Sequence, residues 1–172
     1  MYFGNAQKED IKAISALYKA AIGTDGCTWN ENYPNEEITQ GDLERGDLFC
    51  LKNDSGEIIG AISVDDDALV DALPCWSADK KPAAELARLV VKEKYQNQGV
   101  ARKLLEYAME ELRKRGYKGM HFLVSPEHKK ALRSYAKLSF VRCGECYLYE
   151  HDWLCYEKGL EKEGEQINGI AE

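Results

Sequence analysis

Apolar side chains recur along the chain with two distinct periods. From Lys8 to Ala21, Ile11, Ile14, Leu17, Tyr18 and Ala21 share one face of a 3.6-residue repeat, which predicts a helix. From Gly99 to Arg115, Val100, Leu104, Leu105, Ala108, Met109 and Leu112 give a longer helix a wide apolar face, and Gly116 ends it. Asn35 is placed to cap another helix, with Glu36 and Glu37 in its first turn and an end near Gly46. Ser125-Pro126-Glu127 predicts a further helix start, with Ser as cap and Pro at the first helical position. Ala131, Leu132, Tyr135 and Leu138 lie on one side of that helix.

Short β-type runs fill the spaces between the helices. A strand begins near Tyr2, and Asp47–Lys52 with Glu57–Val64 flank the turn Asn53-Asp54-Ser55-Gly56 as a hairpin. Glu85–Lys92 is a buried strand. Tyr117–Val124 alternates so that Met120, Phe122 and Val124 face one way and His121 the other, as a structural histidine. Phe140–Cys146 and Tyr147–Tyr156 close the set. Asp65–Pro82 reads as irregular. Glu157–Glu172, with a single exposed-looking Leu160 and no aromatic residue, reads as a loose tail. This order predicts an α/β chain: one domain over residues 1–157, a mixed and mostly antiparallel sheet, and helices on both faces, followed by a tail over 158–172.

Composition narrows the function. The chain has 172 residues, enough for one sizeable core. Its 23 Lys and Arg against 30 Asp and Glu give a net charge of −7, unlike the footprint of a nucleic-acid binder. No apolar run reaches membrane-spanning length, and the first ten residues lack a signal-peptide pattern, so no membrane partner is expected. The six cysteines then read as reduced thiols of a cytoplasmic protein. Cys143 and Cys146 have the spacing of half a metal or redox site, but no second such pair exists, and they read as ordinary strand thiols; no metal is implied.

Against that acidic background, Lys92–Lys103 carries four basic residues and one acidic residue, a local +3. The segment runs from a buried strand through a polar loop into a helix that opens at Gly99. Small residues at Gly99 and Ala101 admit close backbone approach. The free N–H groups and dipole of a helix N-terminus favour an anion. The pattern suits a small phosphorylated ligand, although a helix that merely begins with polar residues and Gly has the same look. Neither the dinucleotide fingerprint nor a Gly-rich Lys-Ser/Thr loop is present.

Two motifs here resemble the GNAT superfamily of acetyl-CoA-dependent N-acetyltransferases. Gln96-Asn97-Gln98-Gly99-Val100-Ala101 is similar to the family's Gln/Arg-x-x-Gly-x-Gly/Ala after a buried strand. Ala131-Leu132-Arg133-Ser134-Tyr135-Ala136-Lys137-Leu138-Ser139-Phe140 resembles its Ala-x-x-Leu-Tyr-x-Lys-Leu-Gly-Phe. The hairpin reaching Gly60-Ala61 fits the same order, and the resemblance covers residues 2 to 156.

The resemblance implies transfer of acetyl from acetyl-CoA to a primary amine of a small molecule or peptide, directly in a ternary complex. It implies a loop of Gln96, Asn97, Gln98, Gly99, Val100, Ala101 and Arg102 whose amides from Gln98 to Arg102 hold the pyrophosphate. It also implies an edge at Leu89, Val90 and Val91, splayed by a β-bulge, that pairs with the pantetheine arm. His128 stands where the family often has Asn and would donate to pantetheine; Ser139 stands where the family has Gly. Tyr135 becomes the donor to the departing thiolate, although its spacing from Ala131 and Leu132 equally suits a core aromatic. Glu85 is a candidate base or a solvated strand-end carboxylate, as are Asp65–Asp67. Trp29 and Tyr33 frame either an acceptor pocket or a small satellite core. A CoA-binding regulatory module without turnover, and an interaction domain without a cofactor, remain as other readings. A homodimer is compatible with the chain, but no motif points to one.

Overall fold

The computed structural model describes residues 1–162. Seven strands form one sheet: β1 Tyr2–Asn5, β2 Leu48–Lys52, β3 Ile58–Asp65, β4 Ala83–Val91, β5 Gly119–Val124, β6 Val141–Leu148 and β7 His151–Gly159. Their order is β1-β2-β3-β4-β5-β7-β6. Every neighbouring pair is antiparallel except β4 with β5. The helices are α1 Ile11–Ala21, α2 Glu36–Glu44, α3 Ala68–Asp71, α4 Val100–Lys114 and α5 Lys129–Lys137.

The amphipathic stripes explain the layering. Leu104, Leu105, Ala108, Met109 and Leu112 of α4 bury against Phe49, Leu51, Ile59, Ile62, Leu86, Met120 and Phe122, with Leu138 and Phe140 completing that core. Ile14, Leu17 and Tyr18 of α1 pack on the opposite face against Leu48, Cys50, Ala61 and Val90. β2 and β3 are covered on both sides, which is why they read as continuous apolar runs. No helix among the described residues is long and apolar enough to cross a membrane.

Three expectations need correction. The segment 65–82 is partly ordered: Asp65 belongs to β3, Asp67 caps α3, and Ala78–Lys80 makes a 3-10 turn. α5 begins at Lys129, not Ser125, because two capping signals compete. Ser125 Oγ accepts from Glu127 N–H in a local turn, and His128 Nδ1 takes the cap by accepting from Ala131 N–H at 3.3 Å. The loose tail does not begin at Glu157. β7 continues to Gly159, Glu157 is buried, and Leu160 is 1 % exposed, with its carbonyl accepting from Arg113. The rest of the expected tail, 163–172, lies outside the described residues.

Cys143 and Cys146 lie half-buried on β6 and join Cys155, Cys75, Val70 and Trp76 in a small apolar cluster. Burial pushes the Cys143 thiol up to about 12.

The feature that shapes the sheet is an extra residue in β4. Pairing with β3 passes from Ala61↔Val90 to Ser63↔Ala87, so two steps on β3 span three on β4. Arg88 sits in this bulge with φ 52°, a left-handed conformation that strains a residue with a Cβ. The bulge turns Arg88 inward until its side chain is 2 % exposed. Its guanidinium donates Nε to Asp42 Oδ2 at 2.9 Å and Nη2 to Asp42 Oδ1 at 2.8 Å. Nη1 donates to Asp65 at 2.8 Å and to the Tyr33 hydroxyl at 3.0 Å. Arg45 adds a third donor to Asp42 at 2.8 Å. Past the bulge the β4–β5 pairing is gone: it holds only over Ala83–Glu85, opposite Gly119–His121, and β4 then diverges from β5.

Arg88→Met leaves the Asp42 carboxylate buried without its fork. It should cost about 3–5 kcal/mol in urea unfolding, because Asp42 loses two of its three donors and Asp65 loses its buried ion pair, with only Arg45 left on Asp42. Adding Asp42→Leu to that variant should recover much of the loss. A single-variant loss below about 1 kcal/mol would remove Arg88 as the anchor of the bulge.

Candidate active site

The divergence of β4 from β5 opens a continuous cleft of about 1600 Å³ along β4. Glu85 and Val91 both line it, six residues apart on β4 and so roughly 20 Å at ~3.3 Å per residue.

At the Val91 end, the polar loop turns through Asn97 with φ 60° and Gly99 with φ 77° before α4 begins at Val100. Gly99 needs that left-handed backbone, and a Cβ there would meet no protein atom within 4 Å. The first turn of α4 therefore faces open space. Gln96 braces the loop, donating to Val91 O at 3.0 Å and accepting from Lys130 Nζ at 3.1 Å. The Gln98 carboxamide turns back to Lys94 O at 2.8 Å, and its residue is absent from the cleft wall. Val90 and Val100 bury their side chains in the two cores, which leaves their backbone to the cleft. The local basicity is partly spent: Lys92 and Lys94 both pair with Glu57, and Arg102 pairs with Glu106 at 2.9 Å.

Leu89, Val91, His128 and Tyr135 form the walls of the cleft. Burial holds His128 below the ordinary imidazole range, and the cap it makes engages Nδ1, so its other nitrogen carries the proton. Gly26 packs on His128: a Cβ at Gly26 would lie 2.6 Å from His128 Cα, which seats the loop after α1 against the start of α5. The ring of Tyr135 packs on Phe122 at 4.3 Å between centroids and on Phe140 at 5.8 Å. It is a core aromatic that also lines the cleft. Burial alone pushes its phenol up to about 12, so it keeps its proton at any working pH. Ser139 is left-handed, with φ 62°, at the position where a glycine would be unstrained.

The other end is acidic. Asp65, Asp67 and Glu85 line it together with Trp29, Tyr33 and Tyr149. Glu85 is not a solvated strand-end carboxylate: it is 6 % exposed, and its Oε2 has no hydrogen-bond partner among the described residues. Burial pushes it up to about 9, helped by the charges of Asp65, Asp67 and Asp71 and opposed by Arg88. Asp65 behaves oppositely. Burial would raise it, but the Arg88 guanidinium holds it below the usual carboxylate range. Trp29 packs edge-on against Tyr18 at 5.3 Å, so it is partly core and partly wall. Tyr33 is 38 % exposed and is fixed by Arg88.

Arg88 and Tyr149 were missed as site residues. Tyr149 sits in the β6–β7 turn and reaches across to hydrogen-bond Asp67. The sequence pattern puts Tyr149 inside the strand Tyr147–Tyr156, whereas β6 runs on to Leu148 and the turn falls at Tyr149-Glu150, both left-handed. Arg88 reads in sequence as a polar interruption of an apolar run, and its partners lie 23 to 55 residues away.

The family model for the Acetyltransferase (GNAT) family matches residues 14–140. A search of curated proteins finds no match. Among solved structures, an acetyltransferase of the GNAT family from Streptococcus agalactiae is 20% identical with a TM-score of 0.78, over 94% of this chain and 96% of that one. Ribosomal-protein-alanine N-acetyltransferase from Brucella melitensis is 20% identical with a TM-score of 0.73, over 92% and 99%. The yncA protein of Salmonella typhimurium, solved with its cofactor acetyl-CoA, is 19% identical with a TM-score of 0.72, over 94% and 95%. At such identities the likeness is one of fold, and it extends nearly end to end. The family match spans most of the chain and runs through the bulged strand and both motif segments: the chain belongs to the Acetyltransferase (GNAT) family.

Proposed function

We propose that this chain is an N-acetyltransferase that moves acetyl from acetyl-CoA to a cationic primary amine within one ternary complex. The observation that carries this reading is the polarity of the cleft: open amides and Lys130 at one end, buried carboxylates at the other, and Tyr135 on the wall. In this reading the amides of Gln98–Arg102 receive the diphosphate, supported by the helix dipole. The free edge at Leu89, Val90 and Val91 accepts the pantetheine amides as an added strand would, and His128 offers its free N–H. The acceptor amine enters at the Glu85 end, between Trp29 and Tyr33.

The chemistry requires an unprotonated amine. A Lys-type amine has a pKa of about 10.4, so roughly one in 2,500 is neutral at pH 7. A carboxylate of ordinary pKa, about 4.3, would accept that proton about 8 kcal/mol uphill. With Glu85 at about 9, the step is uphill by only about 2 kcal/mol. Glu85 is protonated at rest near pH 7, and an arriving ammonium favours its ionised form, so the carboxyl releases that proton before it takes one from the amine. The neutral amine attacks the thioester carbonyl, the C–S bond breaks, and the second proton of the attacking nitrogen passes to the departing sulfur, so Glu85 takes one proton per turnover. Tyr135 donates a hydrogen bond to the departing sulfur, whose charge the surrounding Phe122 and Phe140 would otherwise leave unsolvated.

Thiol release from acetyl-CoA over a panel of spermidine, tyramine, a lysine peptide and an alanine-terminated peptide tests the activity. Turnover with at least one amine is expected, and acetyl-CoA binding without turnover on any amine would instead make the chain a binding module. With the best acceptor, Tyr135→Phe should lower kcat about 100-fold and leave the acetyl-CoA KM nearly unchanged. Unchanged kcat removes the assigned role.

A second prediction concerns stability. Because the folded-state pKa of Glu85 is raised above its unfolded value, its contribution is full below about pH 4.5 and is lost as pH rises through about 9. Denaturant midpoints of Glu85→Gln should therefore gain on the unsubstituted protein as pH rises from 4.5 to 9. A constant difference across that range would mean Glu85 is not shifted.

A further inference from the structure

Glu85 can work as a base only if its own proton has somewhere to go, and the sheet supplies a neighbour. β4 and β5 pair in parallel over three residues only, and Glu85↔His121 is one of those pairs. Register partners on adjacent strands present their side chains to the same face. His121 is 3 % exposed and stacks on Trp76 at 4.3 Å with the rings 9° apart, which fixes the plane of the imidazole. Its Nε2 is 3.0 Å from Asp71 Oδ1, and the Asp71 side chain is 50 % exposed. Its Nδ1 is buried without a hydrogen-bond partner among the described residues, as is Glu85 Oε2. Two orphaned polar atoms on paired residues of one face, not bonded to each other, are placed to share one bridging water.

We propose that His121 and Asp71 form a proton exit from Glu85 to solvent. The inference rests on Glu85 being the base. Neither residue touches the substrate, so both are positioning and relay groups.

The other charged groups around His121 leave this route open. On its far side, β7 places Glu157 in register with it, but that carboxylate is held by Ser77 N–H at 2.9 Å, the Ser77 hydroxyl and Lys80 at 3.4 Å. Lys81 disfavours a charged ring, and burial outweighs the pull of Asp71, so the imidazole is neutral at rest. In that form Nε2–H donates to the Asp71 carboxylate, and Nδ1 offers its lone pair toward Glu85. The protonated Glu85 carboxyl gives its proton through the bridging water to Nδ1 while the Nε2 proton passes to Asp71 and then to solvent. Glu85 is left as a carboxylate, ready for the substrate's proton. One proton has then moved outward and His121 is left as its Nδ1–H tautomer, which returns to Nε2–H by proton exchange with water before the next cycle.

The test has two arms. The first needs no acceptor: carbon-13 signals of the Glu85 carboxyl and nitrogen-15 signals of His121 are followed through pH 7 to 10. The His121 nitrogens should shift together with the Glu85 titration, and nitrogens that ignore it would overturn the link. The second arm measures turnover with the best panel amine for His121→Gln and, should that variant fold poorly, Asp71→Asn. A loss of about 10-fold in kcat at pH 7 is expected, shrinking toward pH 9 and relieved by added imidazole, with acetyl-CoA binding unchanged. An unaltered pH profile, or a loss uniform in pH and untouched by imidazole, overturns the relay. Glu85→Gln is assayed beside them: full activity there would sink the base assignment itself, whereas an impaired Glu85→Gln with an unaffected His121→Gln would sink only the relay.

Discussion

A guanidinium enclosed by protein must be matched on every side, and at Arg88 that requirement organises the molecule. The residue occupies an inserted position in β4 with a left-handed backbone, a strain of about 1–2 kcal/mol for a side chain with a Cβ. The fork onto Asp42, the ion pair to Asp65 and the hydrogen bond to Tyr33 hold it there. The same contacts tie α2, the end of β3 and the loop carrying Tyr33 to one point. The bulge ends the β4–β5 ladder after Glu85 and so leaves an edge and a cleft where a flat sheet would have had neither. Packing, strain and the candidate site thus share one cause.

The second consequence is a separation of charge. A net charge of −7 describes the chain poorly. One end of the cleft collects helix N–H groups and Lys130. The other collects Asp65, Asp67 and Glu85, where burial, helped by the neighbouring carboxylates, keeps Glu85 protonated. Arg88 sorts these acids. It keeps Asp65 ionised, while Glu85, more deeply buried and facing three carboxylates, takes the proton. One fold thereby offers a place for an anion and a place for a cation along the same strand.

Much of this was legible in the residues because it is local. The stripes of α1 and α4 and the Asn53–Gly56 turn are properties of a few adjacent positions, and the loop at Gly99 needs only its own glycine. What was not legible depends on distant partners. Leu160 looks exposed in a polar tail, and only the arrival of α4, with Arg113 on its carbonyl, buries it. Ser125 and His128 are both reasonable caps, and local patterning does not rank them. Arg88 interrupts an apolar run and gives no sign that Asp42 and Asp65 will meet it. The raised pKa of Glu85 comes from burial and from carboxylates up to 20 residues earlier in the chain, so no window of sequence contains it.

The decisive property is whether the splayed strand and the start of α4 together receive CoA. Backbone amide NMR of the full chain, titrated with acetyl-CoA at physiological salt, reads each of those groups individually. Saturable shifts concentrated at Leu89–Val91 and Gln98–Arg102, with slowed hydrogen exchange at the same amides, are the expected result. A folded protein whose amides there stay unchanged at millimolar acetyl-CoA, or whose shifts fall on another surface, would contradict it.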